Sequence, residues 1–256
     1  APTIVSAQGA NQSVNGTCQD LAGNSASATV AGISIDKTAP TATASASPGP
    51  NAAGWNNTNV VVTFAGSDVL SGLDACTGPA TLSTEGANQS ASGTCTDKAG
   101  NTSSPATVSG INIDKSAPTV AFAAASPPPN AAGWNNSDVS LAYTASDNLS
   151  GVTSSTPASP LVLAPEGSAV TGAVTVTDAA GNAGTFTSPA VKIDKSPPTI
   201  TASRSPAANA NGWNNTDVTA SFACSDGGSG LAFGSPPAPT VVSTEAANQS
   251  VNGACT

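Results

Sequence analysis

One period governs this chain. Gly54-Trp55-Asn56-Asn57 returns as Gly133-Trp134-Asn135-Asn136 and Gly212-Trp213-Asn214-Asn215, with the tryptophans 79 residues apart both times. Ile35-Asp36-Lys37, Ile113-Asp114-Lys115 and Ile193-Asp194-Lys195 recur at steps of 78 and 80, each followed within three residues by Pro40, Pro118 or Pro198. Ser-Asp pairs recur at Asp68, Asp147 and Asp226, Asp-x-Ala-Gly-Asn words at Asp20, Asp97 and Asp178, and acids at Glu85, Glu166 and Glu245. Words in fixed order at a fixed step define a tandem array of supersecondary units. Taking the Asp-Lys-x-x-Pro words as junctions divides the chain into a C-terminal part of a unit at 1–36, full units at 37–115 and 116–195, and an N-terminal part at 196–256. The chain reads as a piece of something longer, since it opens at Ala1 with neither an initiator Met nor a leader pattern.

Within a unit the strongest signal is alternation. Val60, Val62 and Phe64 point one way, and Val139, Leu141, Tyr143 and Val218, Ala220, Phe222 repeat the phase, as half-buried strands do. Thr41–Ser47 and Pro79–Thr84 supply further strands. Another pair flanks each Asp-x-Ala-Gly-Asn word, as in Val174 and Val176 before it and Ile111 and Ile113 after it, and the Asx-Gly chemistry between them predicts a hairpin. No stretch carries helical periodicity, and no apolar run is long enough to span a membrane. The expectation is six or seven short antiparallel strands per unit, folded as a small sandwich.

Composition limits the chemistry. There is no His, only 8% of residues are charged, and the net charge is -9. Imidazole catalysis, imidazole zinc sites and a basic nucleic-acid surface are excluded. Leu, Ile, Val and Phe fill 41 of 256 positions, too few for one large core but enough for several small ones. Glu85, Glu166 and Glu245 recur once per unit in loops, as structural positions rather than a catalytic pair, so the chain reads as no enzyme.

The words Gly-Trp-Asn-Asn, Ser-Asp-x-x-Ser-Gly, Asp-x-Ala-Gly-Asn and Ile-Asp-Lys-x-Ala/Pro-Pro resemble the bacterial immunoglobulin-like repeats of long secreted and surface-anchored proteins. The resemblance covers the whole chain. It implies an all-β fold of tandem immunoglobulin-like β-sandwiches strung end to end, at the cell surface or outside the cell, in an adhesin stalk or filament. It transfers no ligand, and a glycan or host-surface partner is left unnamed. The implied partners are neighbouring domains of the same chain or identical chains assembled head to tail by strand complementation, with no nucleic acid and no membrane insertion. The alternative is an accessory carbohydrate-binding module of a secreted enzyme.

Cysteine placement follows the same phase. Cys18, Cys95 and Cys255 precede the Asp-x-Ala-Gly-Asn position, where 116–195 has Val176, which marks an inward site. Cys224 continues the inward series of its strand and is expected to bond Cys255 as in an immunoglobulin core. Cys95 has Cys76 as its available partner. Cys18 is left without one in its own stretch and is expected to find it upstream or in another chain. Calcium is a candidate cofactor, with Asp36, Asp114, Asp194, Asp97, Asn101, Asp178 and Asn182 as oxygen donors; against it stand the Lys after each junction Asp and the lack of any Asp-x-Asp cluster. Trp55, Trp134 and Trp213 are either domain-packing residues or sugar-stacking platforms.

Overall fold

A computed structural model describes residues 1–232 and 235–255. Phe233, Gly234 and Thr256, which belong to the 196–256 stretch, lie outside the described residues. The chain is all-β. Its strands are β1 (Gly9–Gln19), β2 (Ser25–Ile35), β3 (Thr41–Ser47), β4 (Val60–Ser67), β5 (Leu73–Cys76), β6 (Ala80–Leu82), β7 (Gly86–Gly93), β8 (Cys95–Asp97) and β9 (Ala106–Ile113). There follow β10 (Thr119–Ser126), β11 (Trp134–Asn135), β12 (Val139–Ser146), β13 (Val152–Thr156), β14 (Leu161–Leu163), β15 (Gly167–Val170), β16 (Ala173–Asp178), β17 (Ala183–Thr187) and β18 (Val191–Ile193). The last are β19 (Thr199–Ser205), β20 (Val218–Ser225) and β21 (Thr240–Val242).

Two compact units divide the chain. The first holds Ala1–Pro118 with Asp147–Thr153 and Thr177–Ala183; the second holds Thr119–Ser146, Ser154–Val176 and Gly184–Thr256. In the first, β3-β4-β6 form one sheet, β7-β9 and β5-β8 two more, and β1-β2 a hairpin. Its core is the alternating face of β4 set against the end of β9. Val60, Val62, Ile111 and Ile113 are buried together, flanked by Ala44, Ala46, Phe64, Leu82, Ala91 and Val108. Burying a Val or Ile of this kind stabilises by about 1.5–3 kcal/mol.

The second unit carries the larger core. Val139, Leu141 and Tyr143 of β12 pack with Leu161 and Leu163 of β14, Val174 and Val176 of β16 and Ile193 of β18. The Tyr143 hydroxyl donates to the Pro157 carbonyl, and its ring lies 5.8 Å from Phe122, tilted by 60°, so the polar end is satisfied while the ring stays in the core. Further along, β19-β20-β21 form a three-stranded sheet. β20 is half-buried through most of its length, whereas β19 is exposed throughout.

The turn words form only part of the expected hairpins. β1 and β2 do pair across Asp20–Asn24, from Gln19↔Ser25 back to Gly9↔Ile35. In 37–115, however, β8 pairs with β5 and β9 with β7, leaving one isolated bridge, Thr96↔Thr102, where the hairpin was expected. Ser103 explains the switch: its N–H donates to the Cys95 carbonyl at 2.9 Å, and its hydroxyl accepts the Cys95 N–H at 2.9 Å. Pro105 then offers no N–H to continue a ladder, and the chain crosses to β7. The same kind of break at Ser188-Pro189 sends β18 to β15 after β17 has paired with β16. Splitting strands in this way gives nine of them in 116–195 rather than six or seven.

Both disulfides join the residues singled out above, Cys76 to Cys95 and Cys224 to Cys255. Cys18 is a free thiol and exposed; the inward position that its phase implies is not covered here, because the β1–β2 hairpin is exposed along most of both strands. Gly66 shows why Cys95 takes a partner other than the residue at the Cys224 place. A Cβ on Gly66 would stand 2.7 Å from Cys95 Sγ and 2.5 Å from the Thr41 carbonyl, so the sulfur occupies the space a side chain would need. Gly66→Ala is expected to cost about 1–3 kcal/mol by overpacking, read as a lowered denaturant midpoint; an unchanged midpoint would mean that β4 relaxes freely.

Candidate functional site: aspartate clusters at the Asp-Lys words

Each Asp-x-Ala-Gly-Asn turn is closed by its own first residue. Asp97 Oδ1 accepts the N–H groups of Ala99 (3.0 Å) and Asn101 (2.8 Å), and Oδ2 accepts Asn101 Nδ2 at 2.8 Å. Asp178 does the same with Gly181 (2.7 Å), Asn182 (2.8 Å) and Asn182 Nδ2 (2.8 Å). Gly100 and Gly181 sit at φ +89° and +94°, which requires Gly at that place in the word.

The Ser-Asp loops use the same device. Asp68 Oδ1 accepts Leu70 N–H at 3.1 Å and Gly72 N–H at 2.8 Å, and Asp147 Oδ1 accepts Leu149 N–H at 3.0 Å and Gly151 N–H at 2.8 Å. Between these loops runs the junction aspartate. Asp36 accepts Thr38 N–H (3.0 Å) on one oxygen and Ser71 N–H (2.9 Å) on the other. Asp114 accepts Ser116 N–H (3.1 Å) and Ser150 N–H (3.0 Å), and Asp194 accepts Ser196 N–H (3.1 Å) and Ser229 N–H (2.6 Å). Asn101 and Asn182 turn their amide nitrogens onto the Asp36 and Asp114 carbonyls at 3.2 and 2.9 Å.

Two carboxylate triplets result. Asp36, Asp68 and Asp97 offer oxygens within 4.8 Å of one another, and so do Asp114, Asp147 and Asp178. Asp97, Asp114 and Asp178 are buried. Oxygen donors in such a set suit a hard cation such as calcium. Of the two sequence arguments against calcium, the one from charge weakens, because the Lys after each triplet's junction Asp bonds elsewhere: Lys37 Nζ donates to Ser6 O, and Lys115 Nζ to Ser83 O and Asn59 Oδ1. Asn101 and Asn182, read from sequence as oxygen donors, use their nitrogens to hold the turns. Asp194 joins no triplet among the described residues. Melting in millimolar calcium against a chelator separates the roles: a rise assigns the triplets to the ion, and an unchanged transition assigns them to hydrogen bonding alone.

The carboxyls of Asp36 and Asp194 are held below the usual carboxylate range, the first by Thr38 N–H and Ser71, the second by Ser229. Burial pushes Asp147 up, but the N–H groups of Gly151, Leu149 and Ser150 outweigh it and the net direction is down. A lowered folded value means stability present above the unfolded value of about 3.9 and lost as pH falls through the folded one. The melting temperature is therefore expected to hold to about pH 4 and drop below it, with Asp36→Asn and Asp194→Asn flattening that acid limb.

Sequence reasoning took the recurring Glu positions as structural without assigning them a partner, and it missed Asp68 and Asp147 as triplet members and the role of Asn56 and Asn135. Glu85 Oε1 accepts Lys115 N–H at 2.6 Å and Ser116 Oγ at 3.0 Å, and Glu166 accepts Lys195 N–H at 2.6 Å, so these acids cap the junction backbone. Asn56 and Asn135 are buried, and their carbonyls accept the N–H groups of Asp114 and Asp194 at 2.9 Å. The near-constant spacing from each Asn to its Asp, 58 and 59 residues, was the available signal. The tryptophans beside them are not equally displayed. Trp55 and Trp134 are half-buried, with Lys192 Nζ 5.7 Å from the Trp134 ring, while Trp213 is 59% exposed.

No protein-family model matches the chain, and no curated protein matches it. Among solved structures it is similar to a Ca2+-stabilized adhesin described as helping an Antarctic bacterium reach out and bind ice, at 18% identity and a TM-score of 0.32, over 84% of this chain. The chain spans 65% of that protein's length.

Proposed function

We propose that this chain is a non-catalytic extracellular spacer: immunoglobulin-like β-sandwiches strung in tandem as a stalk or filament segment of a bacterial surface or secreted protein. The observation that carries this reading is the recurrent lashing. Asp36, Asp114 and Asp194 each close their own Asp-Lys turn with one oxygen and accept a loop N–H from 35 or 36 residues further on with the other. A bond repeated at every junction word fixes each stretch to the next, which is what a part that transmits reach or force needs. Prolines after each Asp-Lys restrict the backbone further. The two disulfides support an oxidising, extracytoplasmic setting, and the scarcity of chemical side chains suits a mechanical role.

Particle imaging tests the reading. Single-file particles that gain roughly 35–40 Å per 79-residue stretch, the span of strands of about 8–10 residues with their loops, are the expected result. Compact particles of unchanged length on adding a stretch would overturn it. Retention on an insoluble polysaccharide that is lost in Trp134→Ala would favour the carbohydrate-binding alternative instead.

A further inference from the structure

The 116–195 stretch has an opening that 37–115 closes. In 37–115, β3 pairs with β4 without interruption from Thr41↔Ser67 to Ser47↔Val61, and it packs against β9, which runs from Ala106 to Ile113. In 116–195 both sides of that contact are altered. β10 carries one residue more than β3, and its register on β12 slips between Phe122↔Tyr143 and Ala125↔Leu141, so Ala123 and Ala124 stand opposite Ala142 alone. Such a bulge bends its strand and breaks the ladder locally. Counting back from Ile193 as from Ile113, Pro189 takes the place of Ser109. A residue with no N–H does not extend the ladder, and β18 is left with Val191–Ile193.

Between the bulge and Pro189 lies a cleft of about 340 Å³. Ala123, Ala124, Pro189 and Ala190 form its exposed rim, and Leu141 and Asn135, 1% and 5% exposed, form its floor. Asn135 Nδ2 donates to the Lys192 carbonyl at 3.3 Å, while Asn135 Oδ1 is buried without a hydrogen-bond partner among the described residues. A buried acceptor left unpaired is costly, so the floor of the cleft calls for a donor. Among the described residues the lining holds no carboxylate to receive an ammonium group, and its one cation, Lys192, has its Nζ 5.7 Å from the ring of Trp134, which lies outside the lining.

We propose that this cleft binds a small, neutral, mainly apolar molecule that donates one hydroxyl to Asn135 Oδ1. Alanine, proline and leucine walls take up hydrocarbon without giving it a direction; the unpaired oxygen supplies the direction and selects an alcohol over a plain hydrocarbon. The volume stands at the low end of ligand cavities, which run roughly 300–1,000 Å³, and suits a single ring better than a chain of sugars. The bulge, Asn135 and Pro189 all belong to 116–195, so the site goes beyond the spacer reading and gives one stretch of the array a ligand of its own.

The test titrates isotope-labelled full chain with benzyl alcohol and, separately, with toluene, which keeps the ring and lacks the donor, and follows the backbone amides by NMR. The expected result is saturable shifts confined to 123–125, 133–135 and 189–192, with benzyl alcohol bound about tenfold more tightly, the factor for about 1.4 kcal/mol. Ala190→Phe, on the exposed rim, fills the cleft and abolishes the shifts while the melting temperature stays in place. The 37–115 stretch, with Asn56 at the place of Asn135 and no bulge in β3, serves as the internal control. Equal affinity for the two probes overturns the proposal, since Asn135 Oδ1 would then receive nothing. So do an absence of saturable shifts, which leaves the cleft to water, shifts of the same size in 37–115, and binding that survives Ala190→Phe.

Discussion

Asp97→Ala and Asp178→Ala are each expected to lower the unfolding free energy by about 3 kcal/mol, whereas Asp20→Ala, in the same five-residue word, shifts the melting temperature little. The hydrogen-bond pattern is the same in all three: Asp20 also accepts the N–H of Asn24 at 2.8 Å and its side-chain nitrogen at 2.8 Å. Depth separates them. Asp97 and Asp178 are 2% exposed while Asp20 is in solvent, so truncating Asp20 lets water replace the carboxylate. Truncating either buried residue strands two backbone donors and an amide, and each unsatisfied buried group costs about 1–3 kcal/mol. Asn101 and Asn182 would also lose the anchor that aims them at the Asp36 and Asp114 carbonyls, so the damage reaches the junction. Urea unfolding of the three variants decides the matter; equal losses at all three sites would mean that turn propensity, not burial, sets the value of the word.

That comparison marks what sequence can and cannot carry. The strand phase was readable because alternation is local: Val60, Val62, Val139 and Leu141 were placed inward by their neighbours alone, and they are at most 1% exposed. The Cys224–Cys255 pair was readable because the same phase put both on inward sites, and Cys76–Cys95 because Cys95 had no other partner in its stretch. The acidic triplets were not. Asp36, Asp68 and Asp97 are separated by 32 and 29 residues, and Asp68 carries no signal beyond a Ser-Asp word that loops commonly use. Nor does a charge in sequence say which side of the backbone it leaves; Lys115 leaves toward Ser83 and Asn59. Strand partners failed for a related reason. A turn word predicts a hairpin, yet Ser103 and Pro105 exhaust the donors and acceptors that would continue it, and that competition appears only once Cys95 lies opposite.

Reduction is expected to split the chain's melting into unequal parts. Cys76–Cys95 closes a loop of 19 residues and Cys224–Cys255 one of 31, and loop closure of that length stabilises by about 3–4 kcal/mol. For stretches of this size such a loss lowers the melting temperature by more than about 10 °C. The 116–195 stretch has no bridge to lose. It sets Val176 at the place of Cys95 and Ala145 at the place of Gly66, and fills the interior with Leu141, Leu161, Leu163 and Tyr143, a larger apolar core than Val60, Val62, Ile111 and Ile113 supply to 37–115. The disulfide thus stands where large side chains are fewer, consistent with bridges being most needed by small cores. Each stretch carries one tryptophan, Trp55, Trp134 or Trp213, so variants that keep a single tryptophan report the stretches separately. With reductant, the transition seen by Trp55 and that seen by Trp213 are expected to move down while that seen by Trp134 stays in place. A common shift at all three tryptophans would show one cooperative unit instead of stretches that melt on their own cores.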